Sequence, residues 1–219
     1  MSLYCPVKLR TDWETVGGLS DPSKMPCASY SFPPERCNVG SKLRTAEGTT
    51  CRDCYAFKGM YRFPDTVRAL ERRYQCWMSD PAAWEISMIR LVDHFGAKAS
   101  GYFRWHDAGD VQSLLHLEAI ARIAAATPTV RHWLPTREAG IVSWYLKRHG
   151  SFPPNLAVRL SDSRIGRPQA LRDGVQASGV HVEPLTDGAE CGAYKRDGEC
   201  GACRLCWDAS VPRVSYPLH

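Results

Sequence analysis

Cys191, Cys200, Cys203 and Cys206 follow one another at C-x8-C-x2-C-x2-C. A zinc knuckle takes two cysteines two residues apart and needs a second pair elsewhere. Three in succession at that spacing leave the middle one unable to serve two knuckles. A C-x2-C-x2-C run with a fourth thiolate from another segment is instead the ferredoxin way of holding a cubane cluster. Gly198 and Gly201 let the backbone wrap closely there, and turn amides offset the negative charge of the sulfides. The spacing predicts a [4Fe-4S] cluster on this quartet, with zinc as the alternative.

A second group comprises Cys27, Cys37, Cys51 and Cys54, of which only Cys51 and Cys54 form a close pair. Either all four thiolates hold a structural cluster, or three hold it and leave one iron open to a small molecule. Zinc in a two-pair site is again the alternative. We expect Cys37, Cys51 and Cys54 to be ligands, with Cys27 folding back beside Cys37 as the fourth. One cluster or two are thus expected. Cys5 and Cys76 have no spaced partners and read as ordinary apolar side chains.

Ten cysteines among 219 residues are too many for core filling alone. The opening MSLYCPVKLRTDW has neither the basic start nor the apolar stretch of a secretory signal. A cytoplasmic protein is therefore expected, and a reducing compartment favours metal ligation over disulfides. No apolar run approaches the roughly 20 residues of a membrane span. The formal charge of +5 tolerates a polyanionic partner without demanding one. No P-loop, H-E-x-x-H or Ser–His–Asp order is present to support a kinase, zinc protease or hydrolase.

A single domain in three stretches is expected: a Cys-rich segment over 1–62, a β/α core over 63–186 and a second Cys-rich segment over 187–219. In the core, Phe63-Pro64-Asp65 opens a helix with Val67, Leu70, Tyr74 and Trp77 on one stripe. Asp80 caps the next helix at Pro81, whose stripe is Trp84, Met88, Leu91 and Phe95. GYFRWH (101–106), VRHWLP (130–135), LAVRLS (156–161) and GVHVEP (179–184) read as strands. Between them lie a helix from Ser113 to Ala125, one capped by Thr136 that runs to Gly150, and a short one on RPQALRD. Strands separated by helices pair in parallel through right-handed crossovers. Four such units, with one more strand in the first sixty residues, fall short of an eight-fold barrel. The fold class expected is α/β, a partial, open parallel β/α barrel. A doubly wound sheet is the alternative, without the glycine fingerprint of a dinucleotide site.

Ligands of parallel α/β folds collect beyond the carboxyl ends of strands. The polar residues there are His106, Asp107 and Asp110; Thr136, Arg137 and Glu138; Arg159, Ser161 and Asp162; and Glu183. His106, Asp107 and Asp110 place three ionisable side chains within five residues and are the catalytic candidates.

GTTCRDCYAFKGMYRFPDTVRALERR, FRWHDAGD and CGACRLCW, in this order, resemble the phage gene product 88 family. More loosely they resemble phage proteins with a C-x2-C-Y-A motif regarded as distant relatives of radical S-adenosylmethionine enzymes. The resemblance runs from about Met25 to Trp207. Those enzymes carry C-x3-C-x2-C after the first barrel strand. The nearest equivalent here is Cys37, Cys51 and Cys54, with thirteen residues in the first gap and Tyr55 after the last cysteine. The resemblance implies that the turn bearing Gly109 grips the amino-acid end of S-adenosylmethionine, with Arg159 and Ser161 near its sugar. It also implies residence in the host cytoplasm.

Three functions remain open on this reading. The first is an iron–sulfur enzyme of radical S-adenosylmethionine-like architecture acting on a nucleic acid or another macromolecule. The second is a non-catalytic iron–sulfur protein, and the third a zinc-stabilised interaction module. Interleaved Arg and aromatic residues in RYQCW, YFRW and VRHW are compatible with base stacking, but plain amphipathic packing is the more common cause of such a pattern.

Overall fold

The computed structural model describes residues 3, 5–98, 100–183 and 188–218. Apolar runs too short for helices become strands. They are β1 (Ser29–Tyr30), β2 (Tyr102–Trp105), β3 (Arg131–Thr136), β4 (Leu156–Ser161), β5 (Gln176–His181), β6 (Ala189–Glu190) and β7 (Arg213–Pro217). They form one seven-stranded sheet in the order β1-β2-β3-β4-β5-β7-β6, and every pairing is parallel. The sheet is open, with β1 and β6 at its edges.

The fold is thus the expected α/β class with an open parallel sheet. The fourth strand begins three residues earlier than GVHVEP suggests, and Pro184 of that string lies outside the described residues, as does the 186/187 boundary. RPQALRD is not a helix: its residues are exposed, and isolated bridges Arg164 to Arg167 and Arg172 to Val175 shape it instead. Seven residues beginning Arg-Pro, with no apolar face to bury, cannot offset the cost of nucleating a helix.

The helices are α1 (Arg10–Val16), α2 (Asn38–Leu43), α3 (Pro64–Ser79), α4 (Pro81–Val92), α5 (Leu114–Ala126) and α6 (Ala139–His149). Asp80 caps α4, its carboxylate accepting from the Ala83 amide at 3.0 Å. A π turn over Asp93–Ala97 extends α4 and carries Phe95 into the core. Ser113 caps α5 by accepting from the His116 amide at 3.2 Å. Thr136 does not cap α6; it closes β3, and Glu138 stands at the cap position. α4 packs on α1, α3 and α5, and α5 on α6, so α4 is the hub of the helical layer. No helix among the described residues is long and apolar enough to cross a membrane.

The two faces of the sheet are covered differently. Phe103, Trp105, Leu134, Val158 and Leu160 bury against the helices, with Trp84, Met88 and Ile120. The alternate residues Trp133 and Val214 face a second cluster with Cys27, Cys206 and Trp207. There Arg159, wholly buried in β4, donates to five backbone carbonyls: Cys206 (3.0 Å), Val211 (3.0 Å), Leu205 (2.8 Å), Asp208 (2.6 Å) and Ala177 (3.4 Å). One guanidinium thus ties the loop 205–211 to the inner face. Arg159→Met should leave those carbonyls unmet in a dry site, lowering stability by about 3 kcal/mol. Urea unfolding measures the loss, and limited proteolysis should show new cleavage within 205–211.

Candidate functional site

Beyond β2 the chain turns out of the sheet through His106, a non-glycine residue at φ 56°, and Gly109 at φ 78°. A Cβ on Gly109 would lie 2.8 Å from the Phe32 carbonyl oxygen, so only glycine lets this turn lie against the segment after β1. Asp107 is buried at the centre of the turn. It accepts from Ser29 Oγ at 2.7 Å, from Tyr61 OH at 2.8 Å and from Ser31 Oγ, while its carbonyl accepts from Tyr55 OH. Burial pushes the Asp107 carboxyl up, but the Arg104 guanidinium and the three hydroxyls outweigh it and hold the group below its usual range.

Asp110 is equally engaged. It accepts from Thr136 Oγ1 at 2.6 Å, from the Val111 amide at 2.7 Å and from the Arg137 amide at 2.9 Å. Burial pushes its carboxyl up despite these donors. Glu138, held up chiefly by burial, accepts from the Val39 amide at 2.9 Å and so anchors the first turn of α2. His106 lies against Phe32 and His116, with ring centroids 5.4 and 5.3 Å away, and neither ring nitrogen has a hydrogen-bond partner among the described residues. Burial lowers its pKa to about 3, so the ring is neutral at pH 7.

A cavity of about 660 Å³ opens above these strand ends. Asp107, Gly109, Asp110, Arg137, Ser161, Asp162 and Ser178 line it from the sheet side. Cys37, Cys51 and Cys54 line it from the N-terminal segment. Cys37 precedes α2, and Cys51 and Cys54 belong to one turn, the Cys54 amide donating to the Cys51 carbonyl at 3.4 Å. A Cβ on Gly40 would lie 3.0 Å from Cys37 Cβ, 3.6 Å from Cys37 Sγ and 3.7 Å from Cys51 Sγ. Gly40 therefore leaves open the space between two thiols. Burial first, then Asp110 and the neighbouring thiols, push the Cys37 thiol up. Arg137 counters this in part, and its buried Nε has no hydrogen-bond partner among the described residues.

The C-terminal quartet forms a separate group. Cys191 precedes a 3-10 turn, the Cys203 amide donates to the Cys200 carbonyl at 3.0 Å, and Cys206 Sγ lies 3.3 Å from Tyr216 OH. Cys27 does not fold back beside Cys37. It is buried with Cys206, Trp133 and Trp207, with Cys191 packed against them. Burial raises its thiol to about 12, with Cys200 the neighbouring thiol that adds to the rise. The cause of this placement is backbone pairing. Ser20 and Ser29 exchange hydrogen bonds at 2.8 and 3.0 Å, and the Lys24 carbonyl accepts from the Cys200 amide at 3.0 Å. None of the ten cysteines is joined in a disulfide. Among the described residues no three His, Cys, Asp or Glu side chains are close enough to hold a single metal ion.

Of the residues expected to bind a cofactor, Gly109 and Ser161 line the cavity. Arg159 does not; its guanidinium is spent on carbonyls beneath it. Asp162 pairs with Arg213 at 2.9 Å, and Glu183 is exposed. Spacing alone missed Gly40 and Ser178, because neither stands in a motif, and it gave Arg104, within YFRW, no place in the site. Alternation along YFRW is the signal that turns Arg104 inward, stacked 4.4 Å over Trp133.

Fold and site define an α/β protein with an open parallel sheet and a strand-end cavity lined on one side by three thiols. The chain belongs to the phage gene product 88 family, whose model matches residues 8–209. No curated protein and no solved structure matches it.

Three buried imidazoles make the fold sensitive to acid. Burial lowers His106 and His132 to about 3 from an ordinary 6.5, and burial lowers His116 well below that value too. As pH falls from about 6.5 towards 3, the unfolded chain takes up protons that the folded chain refuses. Stability is then complete above about 6.5 and declines below it. His106→Asn suits the positive φ and does not titrate. Urea midpoints from pH 7 to pH 4.5 should fall less steeply in this variant than in the parent.

Proposed function

We propose that this chain is an iron–sulfur enzyme of redox or radical type. In this reading Cys37, Cys51 and Cys54 hold a [4Fe-4S] cluster at the mouth of the strand-end cavity. The observation that carries it is that these three thiols line the same cavity as the strand-end residues Asp107 to Asp110, Arg137 and Ser161. A loop of thiols over the carboxyl ends of parallel strands is where such a fold accepts ligands. When bound, a cluster of this kind supplies one-electron chemistry.

The chain's own residues prepare the place. Gly40 leaves room between Cys37 and Cys51, and Arg137 sets a positive charge beside them. A tetrahedral zinc site needs sulfurs roughly 3.8 Å apart, as follows from Zn–S bonds of about 2.3 Å. Among the described residues no three ligands are grouped closely enough for one such ion. Asp107 and Asp110 act as positioning residues, since their oxygens already accept hydrogen bonds from the chain. Ser161 and Ser178, whose hydroxyls stand 3.2 Å apart on the cavity side, offer polar contacts to a substrate. S-adenosylmethionine is the candidate small molecule, and a nucleic acid or another macromolecule is the candidate acceptor.

Protein purified without oxygen should carry iron and acid-labile sulfide in equal amounts. Cys51→Ala should lose a large part of both. Gly40→Val, which fills the space between two thiols, should lower iron content several-fold while the circular dichroism of the fold persists. Addition of S-adenosylmethionine should alter the electron paramagnetic resonance spectrum of the reduced protein. Zinc in place of iron, or no metal at all, would overturn the reading.

A further inference from the structure

We propose that Cys27 is a thiolate ligand of a second metal centre, formed with the C-terminal cysteines, and that Cys37, Cys51 and Cys54 therefore keep one coordination position open towards the cavity. The proposal rests on the iron–sulfur reading above and assigns the ligands within it.

Cys27 stands 24 or more positions from the pair Cys51 and Cys54 and far further from the quartet, so sequence distance alone would place it with the former. The backbone decides otherwise. The Lys24 carbonyl accepts from the Cys200 amide at 3.0 Å, and Lys24 Nζ donates to the Asp197 carbonyl at 2.6 Å. Two contacts thus fasten the segment leading into Cys27 to the loop leading into Cys200. On the other side, the Arg104 amide donates to the Ala28 carbonyl at 3.2 Å, which sets Cys27 just ahead of β1. Its side chain enters the cluster of Cys206, Trp133, Trp207 and Val214, against which Cys191 packs.

Cys27, Cys191 and Cys206 thus share one cluster, Cys200 stands beside Cys27, and Cys203 beside Cys200, five neighbouring thiols where a cubane cluster takes four. We assign Cys27 to the four that bind. A thiolate supplied from before β1 would join the two Cys-rich ends of the chain across one metal centre. The N-terminal group is then a trio, and the fourth site of its cluster is available to a small molecule in the cavity.

The test compares Cys27→Ala, Cys54→Ala and Cys200→Ala in the full chain, purified without oxygen. Metal and sulfide content and the electron paramagnetic resonance spectrum are read on each. Cys27→Ala and Cys200→Ala should lose the same signal and about half the iron, and should keep the signal that Cys54→Ala loses. Cys27→Ser, closer in size to the thiol, replaces Cys27→Ala where the latter does not fold. Loss of the Cys54-dependent signal in the Cys27 variant, or iron unchanged from the parent, would overturn the assignment. Zinc in the parent protein would overturn the iron–sulfur reading alone, and the same comparison read as zinc per chain would then decide the Cys27 ligand. A parent protein with no metal would overturn both.

Discussion

Asp107 carries its charge in a buried position at the edge of the cavity, and a buried carboxylate is tolerated only when donors from the protein replace water. Those donors come from two parts of the chain, and a third adds charge. Ser29 and Ser31 bring the first strand and its continuation, Tyr61 brings the turn ahead of α3, and Arg104 adds its guanidinium from β2. Tyr55, next to Cys54, reaches the carbonyl of the same residue. The loop that bears Cys51 and Cys54 is thus moored to the end of β2 by phenol groups. The shape of the cavity follows from where that loop is held.

Three arginines on the inner side of the sheet divide the remaining work. Arg159 is consumed by carbonyls and fixes the C-terminal loop. Arg104 lies over the Trp133 ring and donates to Met25 Sδ at 2.8 Å, with Tyr55 OH 3.5 Å away. Arg137 stands by the N-terminal thiols, its guanidinium reaching Thr50. Cations on this face lower the cost of forming thiolates in a dry site, against the effect of burial. The net charge of the whole chain says nothing of this arrangement; it is local.

Much of the fold was legible because it obeys periodicity. β4 is buried along almost its full length, as strands of parallel sheets covered on both faces are, and LAVRLS reads that way directly. Asp80-Pro81 marks a helix start by chemistry alone. RVSYP was not legible as β7, since five residues with a terminal proline resemble a loop until β5 is there to pair with them. β1 and β6, at two residues each, carry no periodicity at all. Within the site, the density of His106, Asp107 and Asp110 pointed to the right turn but not to their roles. Whether a carboxylate is free or already saturated depends on Ser29, Tyr61 and Thr136, which lie far off in sequence. Cys27 was misplaced for the same reason, because Lys24 and Cys200 meet only in three dimensions.

The contact between Ser29 and Asp107 closes a loop of 78 positions, and every strand pairing in the sheet is likewise non-local. Such a topology has high contact order, and chains of this kind collapse faster than they reach their final pairing. β1 has two residues; its strand partner β2 lies beyond α2, α3 and α4 in the chain, and its other backbone contact is the bridge from Ser29 to Ser20. Until β1 and β2 pair, Tyr30 and Phe32, both destined for full burial, lie on a segment without its sheet partner. Refolding yield should therefore be governed by concentration and by chaperones that shelter exposed aromatics, more than by the stability of the finished sheet.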